Sequence, residues 1–249
     1  LPQIYRQPDI ALEYDLLPGH GPVVVFLPGF ASDMGGTKAL FLHDICARRG
    51  QAMLRLDYSG HGKSGGKFID GCIGDWTEDA AAVIKAACGE QELILVGSSM
   101  GGWIALLLAL KFQANLAAML LIAPAPDFTE TMVLPRLKAS DRELLQRDGV
   151  IYPPSEYGAP IPLTRKLLEE GAKHLLLDKP VAIKCPVRVL HGMRDPDVPW
   201  QHSVALAVRL ASDDVRLIFI KDGDHRLSRP QYLALLRDNL LELLGENGA

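Results

Sequence analysis

The sequence predicts an α/β protein with a mostly parallel central sheet, helices on both of its faces and an inserted helical cap. Three observations carry this. Short, continuous apolar runs alternate with stretches of helical periodicity. The runs are apolar at successive positions, as in strands covered on both sides. One stretch of about sixty residues breaks the rhythm and is too long for an ordinary connection.

The elements follow in order. Residues 23–27 read as a buried strand between Gly21-Pro22 and Pro28-Gly29. Residues 37–48 have helical spacing and stop at Gly50. Strand 52–56, helix 76–87, strand 93–96, helix 100–112 and strand 116–122 continue the alternation. From Pro124 to about Pro186 no clear strand is legible, and two helical patterns, 135–147 and 163–176, lie among several prolines. Strand 187–190, helix 202–210, strand 215–220 and helix 230–244 then resume the pattern. The expected division is a core of 1–125 and 186–249 with a cap, or lid, over 126–185.

Composition narrows the function classes. Apolar residues make up 48% and charged residues 22%, ordinary for a globular chain that buries its core without staples. The net charge of −4 offers no basic field for nucleic acid, so no nucleic-acid partner is expected. Cys46, Cys72, Cys88 and Cys185 form no CxxC pair, and reduced, mostly buried thiols are expected. The most apolar stretch, 104–110, is far short of the roughly 20 residues that span a bilayer, so no transmembrane segment is expected. No secretory leader is legible. A chain opening on Leu1 leaves room for a processed targeting segment, and the expected compartment is the cytoplasm or the mitochondrial matrix.

The chemistry is concentrated in a few strings. Gly97-Ser98-Ser99-Met100-Gly101 is a G-x-S-x-G motif, and its context makes it specific: strand before, helix directly after. The turn between them is sharp, and glycines on either side of Ser99 let it close. Ser99 is the candidate nucleophile because it alone is central. A serine hydroxyl needs a base, and the base needs an acid to hold its tautomer. In this architecture both follow later strands, acid first. Asp195 lies just past strand 187–190 and His225 just past strand 215–220. Asp197 is the competing carboxylate. Asp222 and Asp224 are read as solvating their loop. His191 at a strand end is read as packed, and His202 is the one other downstream histidine; His20, His43 and His174 precede the acid. The developing oxyanion needs two donors, and the backbone N–H groups of Phe30, after Pro28-Gly29, and of Met100 are expected to supply them. The loop Asp57–Ser64 reads as structural, with glycines for tight turns and no phosphate-loop spacing.

With these residues in hand, the chain resembles the α/β-hydrolase superfamily over nearly its whole length. Within it, Gly36-Thr37-Lys38-Ala39-Leu40, Asp57-Tyr58-Ser59-Gly60, Val96 to Trp103 and His191-Gly192-Met193-Arg194-Asp195 resemble the mitochondrial acyl-glucuronide esterases and palmitoyl-protein thioesterases of animals. Val198-Pro199-Trp200, Asp224-His225-Arg226 and Pro154-Ser155-Glu156-Tyr157 fit the same pattern. The resemblance implies the α/β-hydrolase fold and hydrolysis of acyl thioesters and activated oxygen esters through an acyl-enzyme. The substrate would be a small-molecule ester or acyl thioester, with an acylated protein as a further candidate, and the chemistry needs no metal or organic cofactor. A ligand-binding protein that keeps the fold, or another serine chemistry such as carbon–carbon bond hydrolysis, remains the alternative.

Overall fold

The structure, a computed structural model, describes residues 1–7, 9–154 and 160–245. An eight-stranded sheet runs through it, built from β1 (Gln3–Gln7), β2 (Ile10–Leu17), β3 (His20–Leu27), β4 (Gln51–Leu56), β5 (Leu93–Ser98), β6 (Leu116–Ile122), β9 (Val187–Gly192) and β10 (Val215–Ile220), in the order β1-β2-β4-β3-β5-β6-β9-β10. From β4 to β10 every pairing is parallel. β1 and β2 join antiparallel at one edge.

The strands alternate between two cores, and this is why they read as continuously apolar. Val23, Val25 and Leu27 of β3 and Leu93 and Leu95 of β5 face one core. Ile73, Trp76 and Ala80 of α2 (Ile73–Cys88), most of α3 (Met100–Lys111) and Leu206 of α7 (Gln201–Arg209) pack there too. Val24, Phe26, Ile94 and Val96 face the other, against α1 (Thr37–Arg49) and α8 (Pro230–Leu243). Helix α3 is buried almost all round, so it lies under the sheet centre with Ser99 at its first turn. Cys46, Cys72 and Cys88 are buried and Cys185 half-buried, all as unpaired thiols.

Two features differ from the sequence reading. β1 and β2 have no legible signal, because only Leu12 of β2 is buried and charged residues interrupt the apolar ones; β2 is placed by its pairing with β4, far along the chain, and β1 by β2. The stretch between β6 and β9 also holds more than two helices. A π-helical turn at Thr129–Val133 runs into the short α4 (Leu134–Arg136). The chain then extends at Leu137 before α5 (Ala139–Asp148). The Asp141 carboxylate restarts the helix by accepting the Lys138 N–H at 3.0 Å, and left-handed Gly149 ends it. A small hairpin, β7 (Val150–Ile151) with β8 (Leu163–Thr164), follows, so the expectation of no strand here is corrected. Thr164 then caps α6 (Arg165–Gly171), its hydroxyl accepting the Leu167 N–H at 3.0 Å. A threonine cap, not helical period, begins that helix. From Ser155 onward the string Pro154-Ser155-Glu156-Tyr157 lies outside the described residues.

Candidate active site

The turn between β5 and α3 is tight because its neighbours leave no room for side chains. A Cβ on Gly97 would overlap the Gly101 carbonyl, and one on Gly101 would overlap the Leu27 carbonyl. Ser99 sits at φ 55 and ψ −119, a conformation that costs an L-residue about 1–3 kcal/mol. Its backbone is over-determined in return. The Ser99 N–H donates to Ile122 O at 2.9 Å, and Ser99 O accepts from Gly102 at 2.8 Å and Ala125 at 3.1 Å. The half-buried hydroxyl is thereby presented at the carboxyl edge of the sheet.

The loops after β9 and β10 bring the other two residues to it. Ser99 Oγ lies 3.1 Å from His225 Nε2, and His225 Nδ1 lies 2.7 Å from Asp195 Oδ2. The carboxylate only accepts, so Nδ1 carries a proton and Nε2 is left to accept from the serine. Asp195 Oδ1 is held by the N–H groups of Asp197 and Val198, both at 2.9 Å. Burial alone would raise the Asp195 carboxyl. The hydrogen bonds from His191 and His225 outweigh it and hold the group well below the ordinary carboxylate range. It is therefore a fixed anion that orients His225 and stabilises positive charge on it.

The competing residues have other places. Asp197 lies beside the pair, its carboxylate within 4.8 Å of the nearest ring nitrogen of His225, but the 2.7 Å contact is from Asp195. His202 bonds the Pro126 carbonyl at 2.5 Å. Asp224 accepts the Leu227 N–H at 2.9 Å, and Asp222 lies 3.8 Å from Arg229, so both work within their own loop. Lys38 of α1 donates to Arg226 O at 2.6 Å and so ties down the carbonyl next to His225. Burial lowers its pKa to about 8.

The loop after β3 lies against the serine. A Cβ on Gly29 would stand 3.4 Å from Ser99 Cβ. Among the described residues, the Phe30 and Met100 N–H groups donate to no turn, loop or cap carbonyl. The Tyr58 hydroxyl donates to Pro28 O at 3.2 Å and braces this turn. Asp57 supports it from behind, accepting the Met34 N–H at 2.7 Å and the Lys63 N–H at 2.9 Å. Loop 57–64 is thus a brace, as its glycines suggested. The Phe30 ring meets Phe68 at 5.0 Å, Phe128 at 5.9 Å and Trp76 at 6.1 Å, so the residue after Gly29 is held in an aromatic cluster.

The family described as serine aminopeptidase, S33, matches residues 20–166. The chain belongs to this family of α/β hydrolases. The hydrolase is 36% identical over 244 residues to the mitochondrial palmitoyl-protein thioesterase ABHD10 of Bos taurus, covering 96% of this chain and 79% of that protein. Among solved structures, an Agrobacterium vitis S4 protein solved as a candidate hydrolase superposes with a TM-score of 0.91 at 42% identity, over 98% of this chain and 97% of the other. Alpha/beta hydrolase domain-containing protein 10 from mouse superposes with a TM-score of 0.88 at 34% identity, over 98% of each chain. Sequence reasoning about this hydrolase missed the bracing roles of Tyr58 and Lys38. Both sit inside the strings that carry the resemblance, the one signal that could have marked them.

Proposed function

We propose that the hydrolase cleaves carboxylic esters and thioesters through an acyl-enzyme on Ser99. The observation that carries this is the unbroken chain Ser99 Oγ, His225 Nε2, His225 Nδ1, Asp195 Oδ2 at a strained strand-to-helix turn. His225 takes the Ser99 proton as Oγ attacks the acyl carbon. The Phe30 and Met100 N–H groups receive the oxyanion. The imidazolium, stabilised by Asp195, returns the proton to the departing thiol or alcohol. A water deprotonated by His225 then attacks the acyl-enzyme, releasing the acid and restoring Ser99.

The experiment is fluorophosphonate labelling of the intact chain, read by peptide mass, with turnover of a chromogenic ester. The adduct is expected on Ser99, and Ser99→Ala should lower kcat by about 10⁴-fold or more with the fold retained. An adduct on Ser98, or turnover surviving in Ser99→Ala, overturns the assignment. A protein that binds the probe ester without turnover would be a ligand-binding relative instead.

The substrate reading is an acyl thioester or activated ester, in solution or on a protein, with residues 126–185 acting as a cap that selects the acyl group. The Bos taurus relative is named a thioesterase, which supports thioesters over the peptide amides in the family's description. Part of the cap is already committed to packing. Met132 and Leu167 belong to the main core, and Leu145 and Leu168 to a small core of the cap itself. Leu134 and Leu137 pack against that small core and, with Leu145 and Leu168, line an apolar groove of about 400 Å³ rimmed by Arg142 and Arg165, the proposed seat of an acyl chain. The working compartment, cytoplasm or mitochondrial matrix, is supported by the unpaired thiols and the mitochondrial relatives. No helix among the described residues is long and apolar enough to cross a membrane.

A further inference from the structure

Behind Asp195 stands a second histidine that the proposed reaction does not use. His191 is the penultimate residue of β9 and is fully buried. Its Nδ1 lies 2.6 Å from Ser203 Oγ. Its Nε2 lies 3.0 Å from Val198 O and 3.3 Å from Asp195 Oδ2. Two acceptors face Nε2, and neither can donate, so Nε2 carries the proton. Nδ1 must then accept from the Ser203 hydroxyl, itself fully buried on α7. One tautomer satisfies every polar atom of the ring.

A histidine needed only for volume would not set its one N–H, donated to the Val198 carbonyl at 3.0 Å, within 3.3 Å of the oxygen that already holds the base. We infer that His191 is a positioning residue: its Nε2–H, set by Ser203, shares Asp195 Oδ2 with His225 and fixes the carboxylate that orients the base. This rests on the reading of Ser99, His225 and Asp195 as the catalytic set.

The donors to Asp195 show what His191 adds. Oδ1 is held by two backbone N–H groups of its own loop. Oδ2 lies 2.7 Å from His225 Nδ1 and 3.3 Å from His191 Nε2. The Val198 carbonyl ties that same loop to the His191 ring. His191 is therefore a link from the rigid sheet to Oδ2. Around it stand Asp195 on the loop after β9, His225 on the loop after β10, and His202 and Ser203 on α7. Loss of the N–H leaves Oδ2 with His225 alone. Negative charge then concentrates on that contact, the imidazolium is favoured in the resting enzyme, and the carboxylate loses its attachment to the sheet.

The test uses the full chain and p-nitrophenyl butyrate. His191→Phe keeps the ring and removes the donor; His191→Gln keeps an N–H near the Nε2 position. His191→Phe should lower kcat by about ten- to a hundredfold with KM within about twofold. It should also move the acid limb of the kcat/KM profile to higher pH by roughly half to one unit. His191→Gln should recover most of the rate. Should His191→Phe fail to fold, Ser203→Ala, which releases the tautomer with the loss of one atom, should still lower kcat severalfold and move the same limb. Phe and Gln variants equally slow with the parent pH profile would reduce His191 to packing and overturn the inference. So would parent-like kinetics in the Phe variant, or in Ser203→Ala where that variant stands in for it. Ser99→Ala separates the levels: surviving turnover there overturns the catalytic set and this inference with it. Inactive Ser99→Ala beside parent-like His191 variants overturns this inference alone.

Discussion

Two carboxylates two residues apart compete for one role, and their hydrogen bonds separate them. Asp195 is held by four donors, including both histidine rings, and its side chain is fully buried. Its carboxyl is held well below the ordinary range, so it stays ionised through mildly acid pH and contributes no titration to the activity profile there. Asp195→Asn replaces an acceptor with an amide that can present N–H to N–H, and several orders of magnitude in kcat should be lost. Asp197 gives its backbone N–H to Asp195, and Asp197→Asn leaves that bond intact, so it should cost less than about tenfold. Steady-state kinetics on the two variants at one pH checks the ranking, and the reverse order would reassign the acid.

At the scale of elements, the segment between β6 and β9 is built to be held at its ends. Asp127, at φ 59, accepts the N–H groups of Leu176 at 2.9 Å and Leu177 at 2.8 Å. Trp103 of α3 donates to His174 O at 3.1 Å. Lys166 of α6 reaches the Asp70 carbonyl at 2.6 Å and Asp75 at 2.7 Å. The groove proposed for the acyl chain, at Leu134 and Leu137, lies within this anchored segment. If an acyl chain occupies it, each added methylene is worth ~0.8 kcal/mol, or about fourfold in kcat/KM. A chain-length series of acyl thioesters should therefore rise steeply with the parent and flatten with Leu134→Ala or Leu137→Ala. A series already flat with the parent would show that the groove does not read the acyl chain.

For the whole molecule, the clearest pH signature of stability comes from a residue outside the reaction. His61 is buried among Tyr58, Phe68 and Trp76. Its Nδ1 donates to Ser59 O at 3.2 Å, and its Nε2 has no hydrogen-bond partner among the described residues. Burial lowers its pKa to about 4. The unfolded chain, near the ordinary value of about 6.5, takes up the proton first on acidification. Stability from this site is thus complete above about pH 6.5 and is lost as pH falls toward 4, by at most about 3 kcal/mol. Urea unfolding between pH 7 and 4 should show the loss, and His61→Gln should flatten it. A slope unchanged by the substitution would place the titration elsewhere.

The parallel strands, the helices beside them and the place of Ser99 at the turn between β5 and α3 were legible in the sequence because each is written locally. A buried strand is a short apolar run, and the elbow is a serine between glycines that no larger residue could replace. The antiparallel edge was not legible, since β2 buries little and draws its order from β4, far along the chain. Cap helices read by period alone were misjudged where Pro135, Asp141 and Thr164 set their ends. Chain order pointed to Asp195 and His225, but the sequence could not rank Asp195 over Asp197 by contact. Nor could it see that His191, read as packed, also faces the acid. Those decisions belong to the tertiary structure, because a hydrogen bond depends on tenths of an ångström between loops brought together only by the folded sheet.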